Sequence, residues 1–134
     1  MRQAILPIAL LAVLAALTLT CASVRSAEAP AELGTDLMQA IDDSNKSLSS
    51  NIALKDAKAS ASDARDINQD FVQVEAFFAA RPDAHDAVDL ARKTRELTDV
   101  IVRSVGGGNF DAAADSATEL SRTCRTCHTF YKKS

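Results

Sequence analysis

Apolar residues recur every three or four positions through most of the chain beyond Leu33. The first run is Leu37/Met38, Ile41, Leu48 and Ile52, which predicts an amphipathic helix over 35–55. Its middle, Ser44 and Asn45 included, is polar, so the apolar stripe is narrow there. Thr35 stands at the cap position, but Met38 follows where a capping box places an acid. The stretch "DAKASASD" (56–63) reads as a link. A second helix is expected over 62–80, with Ile67, Phe71, Val74 and Phe77/Phe78 on one face. It stops at Arg81-Pro82, because a residue before proline avoids helical angles.

Asp83 is the expected cap of a third helix over 84–105, whose stripe is Ala87, Leu90/Ala91, Thr94, Leu97, Ile101 and Val105. "GGGNF" then ends that helix and begins another. Gly106 to Gly108 supply left-handed cap angles, and Asn109 or Asp111 caps the fourth helix. The fourth stripe runs Phe110, Ala113/Ala114, Ala117, Leu120, Cys124, Cys127/His128, Tyr131, so that two thiols and an imidazole continue a buried face. Abundant alanine, few Gly or Pro, one tyrosine and no tryptophan favour an all-α domain. Four helices with short connections predict an antiparallel up-down-up-down four-helix bundle. There the start of the first helix lies beside the end of the last. At about 1.5 Å per residue, Met38 and His128 both fall about 6 to 8 Å from the same end.

The segment before these helices has another character. Residues 1–26 carry Arg2, then an apolar run from Ala4 to Leu19 interrupted by Pro7 and Thr18, then small residues. That is the build of a secretory signal peptide, with cleavage placed after Ser26 or Ala27. A membrane anchor is the rival use of the run, which is only marginally long enough. Cys21 falls within the discarded segment, since Thr20 before it is a poor match to a lipoprotein site. Residues 27–33 read as an extended leader and 34–134 as the bundle. An exported, periplasmic domain with no membrane span in its mature form is expected.

Removing residues 1–26 deletes Arg2 and Arg25 and no acid, which moves the formal charge from −3 to −5. A mildly acidic domain is a poor match to nucleic acid. It suits a basic protein partner or a small ligand. Two cysteines then remain, Cys124 and Cys127. In an oxidising compartment free thiols tend to pair, yet a disulfide between i and i+3 closes almost no loop.

"CRTCH" (124–128) is the attachment pattern for c-type haem. Two thiols one helical turn apart can add to the two vinyl groups of one haem, and the adjacent histidine reaches the iron. The rivals fit less well. Zinc wants four ligands, and beyond this triplet the mature chain offers only His85 and carboxylates. A thioredoxin-like pair belongs at a helix N-terminus, where its pKa is lowered. A plain buried cysteine pair is the bland reading. No paired carboxylates and no Ser/His/Asp set argue for hydrolysis, and no enzymatic activity is expected.

With its signal peptide, four helices and Cys-x-x-Cys-His in the last of them, the chain resembles the class II cytochromes c, the cytochrome c-prime family, over roughly Leu33 to Lys133. "CRTCHTFYK" carries the likeness most specifically, with Tyr131 and Lys132 following His128 in the family's manner. "DLMQAID" (36–42) matches the region where low-spin members carry a methionine ligand. The resemblance implies one covalently bound haem c, attached through Cys124 and Cys127, with His128 as proximal and Met38 as distal iron ligand. It implies one-electron transfer with a redox partner protein, and a homodimer as many members form. Met38 is the only methionine after Met1. Its bland role is core filler. In that alternative the iron is five-coordinate and the protein binds a small gas such as nitric oxide. A third reading makes it an accessory haem protein of a larger complex or a stress-protection protein. Arg125 and Lys132 flank the histidine and suit either a haem propionate, a partner's acids or plain solvent.

Overall fold

The computed structural model describes residues 32–131. The signal peptide (1–26), nearly all of the leader, and Lys132 lie outside the described residues. Among the described residues there are four helices and no strand: α1 (Thr35–Ala53), α2 (Ala57–Ala79), α3 (His85–Gly106) and α4 (Phe110–Tyr131). Each helix packs against its neighbour in sequence, and α1 also packs against α4. This is consistent with a four-helix bundle. The α1–α4 seam is the sparsest of the four.

The link expected over 56–63 is almost entirely helix. Asp56 is the cap: its carboxylate accepts from the Ala59 amide at 2.9 Å. Ser60, Ala61 and Ala64 are buried, so the small residues that suggested a link instead let α2 approach its neighbours closely. The Ser60 hydroxyl is satisfied by the Asp56 carbonyl at 2.6 Å. What remains of the connection is Leu54 to Asp56.

That turn depends on Lys55, the one non-glycine residue with positive φ (57°) among the described residues. The Lys55 amide donates to the Ile52 carbonyl and the Asp56 amide to the Asn51 carbonyl. This pair of bonds is a Schellman cap, which ordinarily places glycine at the left-handed position. The end of α3 has the same pair, from Gly108 to Val105 and from Asn109 to Ser104, with Gly108 at φ 74°. Lys55→Gly is therefore expected to stabilise the fold by about 1 kcal/mol, the approximate cost of a side chain in left-handed backbone. Denaturant unfolding of the two proteins side by side checks this.

Two cap readings resolve differently. Asn109, not Asp111, caps α4, accepting from the Ala112 amide at 3.1 Å. Asp83 does not cap α3. The helix starts one residue later than expected, and the Ala84 carbonyl receives the Ala87 and Val88 amides. The α3 stripe also differs, because Thr98 is buried while Leu97 is only half-buried. Thr94 and Thr98 turn their hydroxyls back onto the Leu90 and Arg95 carbonyls, at 3.0 and 2.6 Å. Their methyl groups can then line a tight interface beside Ala87 and Ala91 without an unsatisfied donor.

Leu48, Ile67, Ile101 and Leu120 form the fully buried centre, one from each helix. Polar pairs tie the helices together: Asn51 with Asp63, Asn68 with Thr98, Glu75 with Arg95, and Lys93 with Glu119. Above the Leu120 layer the centre loosens towards Tyr131, and the candidate site lies there.

Candidate functional site

Beyond Leu120, α4 turns Cys124, Cys127 and Tyr131 in the same general direction. At about 100° per residue, Cys124 lies about 40° to one side of Leu120 and Cys127 about 20° to the other. Both thiols are half-buried and free. His128 lies about 80° round from Leu120, which turns it towards the α1 seam. It is exposed. The expectation that the imidazole is buried along with the thiols is corrected here: it stands at the rim.

These residues border one groove of about 630 Å³. Met38, Ile41, Asp42 and Asn45 come from α1, Phe71, Val74 and Phe78 from α2, Leu90, Ala91 and Thr94 from α3, and Cys124, Cys127, His128 and Tyr131 from α4. Met38 is half-buried. The sequence-predicted set of Cys124, Cys127, His128 and Met38 thus shares one cavity, and the two ends of the described chain supply its two sides. The inner wall is mostly apolar, with the buried Thr94 and Thr123 turning their hydroxyls back onto their own helices, while the exposed Thr35, Gln39 and Asp42 are polar at the mouth. The polar middle of α1 has its own explanation: Asn45 and Ser121 exchange hydrogen bonds at 3.3 and 3.4 Å across the seam. His85, the other histidine considered, is exposed in the first turn of α3 and does not line the groove.

Sequence reading missed the fastening of this end. The Tyr131 hydroxyl donates to the Asp86 carboxylate at the start of α3. The Tyr131 ring also packs on Phe78, centroids 5.0 Å apart, so the last turn of α4 is held by both α2 and α3. Tyr131 stood out as part of a stripe, but nothing in the sequence marks Asp86 as its partner.

The electrostatics bear on the chemistry. Burial, then the nearby Cys127, pushes the Cys124 thiol up to about 11. Burial, then Asp86, raises Cys127 as well. The bond to Asp86 raises Tyr131 to about 12. Both thiol shifts run opposite to the lowered pKa that a reactive thiol pair needs. Among the described residues no three His, Cys, Asp or Glu side chains gather as a group able to hold a metal ion. What the donor set does fit is a large flat apolar body carrying its own metal. The groove volume lies within the range of about 300 to 1,000 Å³ typical of cofactor sites. Two thiols one turn apart on its wall, with an imidazole and a thioether at its edges, suit a haem.

The raised Cys124 value has a testable sign. In the chain with both thiols unmodified, the unfolded thiol ionises near 9.0, while the folded one keeps its proton up to about 11. Between these values the folded state binds more protons, so stability present below the lower value is lost as pH rises towards the upper one. Denaturant unfolding across this window is expected to show that loss, and Cys124→Ala is expected to reduce it.

Comparison with protein families, with characterised proteins and with solved structures finds no match to this chain. Among the described residues no helix is long and apolar enough to cross a membrane.

Proposed function

We propose that the protein is a periplasmic c-type cytochrome of the class II kind, exported by residues 1–26, that transfers single electrons. In this reading the four helices run up-down-up-down. The cross-helix pairs support that order: Asn68 meets Thr98 while Glu75 meets Arg95, and Lys93 meets Glu119 while Asp86 meets Tyr131. In each case residues later in one helix pair with residues earlier in the next.

The observation that carries the function is the shared groove, in which Met38 of α1 lies with Cys124, Cys127 and His128 of α4. Cys124 and Cys127 would hold one haem c through thioethers, and His128 and Met38 are the residues that would ligate its iron. When bound, the haem supplies an iron that takes up and gives back one electron. The protein's part is to fix that iron in one geometry. Phe71, Val74 and Phe78 close the inner wall against water, which keeps the site apolar. The Tyr131–Asp86 bond and the Tyr131–Phe78 contact hold the turn bearing His128. A rigid turn limits reorganisation between oxidation states. The redox partner is a protein, and a homodimer is compatible with the family likeness.

The absorption spectrum of the exported protein tests this. A low-spin spectrum with a methionine-to-iron charge-transfer band is expected. A high-spin ferric spectrum, with ready carbon monoxide binding after reduction, speaks instead for the open, gas-binding form.

A further inference from the structure

Charge is distributed unevenly along the chain. Residues 120–134 contain Arg122, Arg125, Lys132 and Lys133 and no acid, while every acid lies at or before Glu119. The protein is acidic as a whole, yet the segment carrying Cys-x-x-Cys-His is basic.

The helix displays part of that charge outward. Arg122, Thr126 and Phe130 follow one another at four-residue steps and form one ridge of α4. Arg125 and Thr129 form the next ridge. All five are exposed. Phe130 is 69% exposed, a large apolar side chain that the bundle does not use. Arg122 shares Glu119 with Lys93, at 3.5 and 2.5 Å, which leaves that cluster net positive. Among the described residues Arg125 forms no ion pair, and it lies within the thiol-bearing turn, directly after Cys124. His128 stands exposed beside these ridges, one turn on from Arg125. Aromatic and arginine side chains are the residues that interfaces concentrate.

We infer that the outward face of the last turns of α4, with Phe130 as apolar anchor and Arg122 and Arg125 as its charges, docks the redox partner through an acidic patch on that partner. The inference rests on the haem reading, because Arg125 lies only about 60° round α4 from the exposed His128, so that the Arg125 side of the docked partner borders that edge of the groove. Charge complementarity selects the occupant: a partner with acids around an apolar contact is steered to this face, whereas the acidic remainder of the chain repels it.

The probe is an acidic flavodoxin in its hydroquinone form. It gives one electron to the loaded ferric protein and becomes the semiquinone. Stopped-flow reduction is expected to slow as salt rises, although both proteins are acidic overall. Arg125→Glu is expected to lower the low-salt rate by about tenfold and to flatten the salt dependence. Phe130→Ala is expected to weaken binding of oxidised flavodoxin, read as amide shifts at Thr126 and Thr129. Arg65→Glu, the same charge change on the exposed side of α2, is expected to leave the rate within about twofold. The proposal is overturned if Arg125→Glu and Arg65→Glu slow the reaction equally, or if neither does. It is also overturned if the Arg125 effect is confined to sedimentation with phosphatidylglycerol vesicles, or to self-association of the protein. A colourless preparation, by contrast, contradicts the haem reading and leaves nothing to reduce. The amide shifts, which need no haem, still report on the face.

Discussion

Cys124→Ala combined with Cys127→Ala is expected to abolish retention of colour: acidified organic solvent extracts all haem from the double variant and none from the parent protein. The reason is geometric. Both thiols line the groove wall one helical turn apart, half-buried and unpaired with each other. A haem held by two thioethers cannot leave on dilution. One held only by iron ligation and apolar contact follows mass action and is lost as concentration falls. Each single variant keeps one thioether and is expected to retain its haem with a shifted spectrum. In the haem reading, losing the group that fills the groove lined by Phe71, Val74 and Phe78 also exposes apolar wall, so the double variant is expected to unfold at lower denaturant than the parent. Cys21→Ala, in the segment read as a signal peptide, is expected to change nothing in the mature protein.

Substitution of Met38 is the second large effect. Met38→Ala is expected to convert a six-coordinate iron to a five-coordinate one. The charge-transfer band disappears and the reduced protein binds carbon monoxide. The reduction potential falls by on the order of 0.1 V, a modest part of the roughly 0.8 V that axial ligands command. A thioether is a soft ligand and favours the reduced metal, so its loss lowers the potential. Met38→Leu separates ligation from packing. It fills nearly the same volume of the groove but offers no sulfur, so it reproduces the spectral change if Met38 is a ligand. If Met38 only packs, Met38→Leu behaves as the parent protein does.

Much of this was legible in the chain because helical periodicity is a strong signal over twenty-residue runs. The four stripes each fall within a helix, and "GGGNF" ends one helix and starts the next, although of its three glycines only Gly108 is left-handed: Gly106 closes α3 and Gly107 has φ −89°. The start of α2 was not legible. "KASAS" has small and polar residues that suit a loop as well as a close helix contact, and only the packing of Ser60 and Ala64 decides between them. Lys55 gave no warning that it closes a turn in left-handed backbone. In α3, Thr98 and Leu97 compete for the interior. The threonine wins because its hydroxyl folds back onto its own helix, which a hydropathy pattern does not register.

At the groove, local spacing gave the triplet of Cys124, Cys127 and His128, and counting residues from the bundle end put Met38 near it. The exposure of His128 was not apparent, because stripe membership spans a wide arc and the histidine lies at its margin. The Tyr131–Asp86 fastening joins residues 45 positions apart, and no local pattern encodes it.

Mass spectrometry of the peptide spanning Cys124 to His128 tests the central claim most directly, on protein exported by a host able to mature c-type cytochromes. The predicted result is one haem mass on that peptide, with both sulfurs resistant to alkylation. A peptide of unmodified mass, with both thiols alkylated or joined in a disulfide, contradicts it.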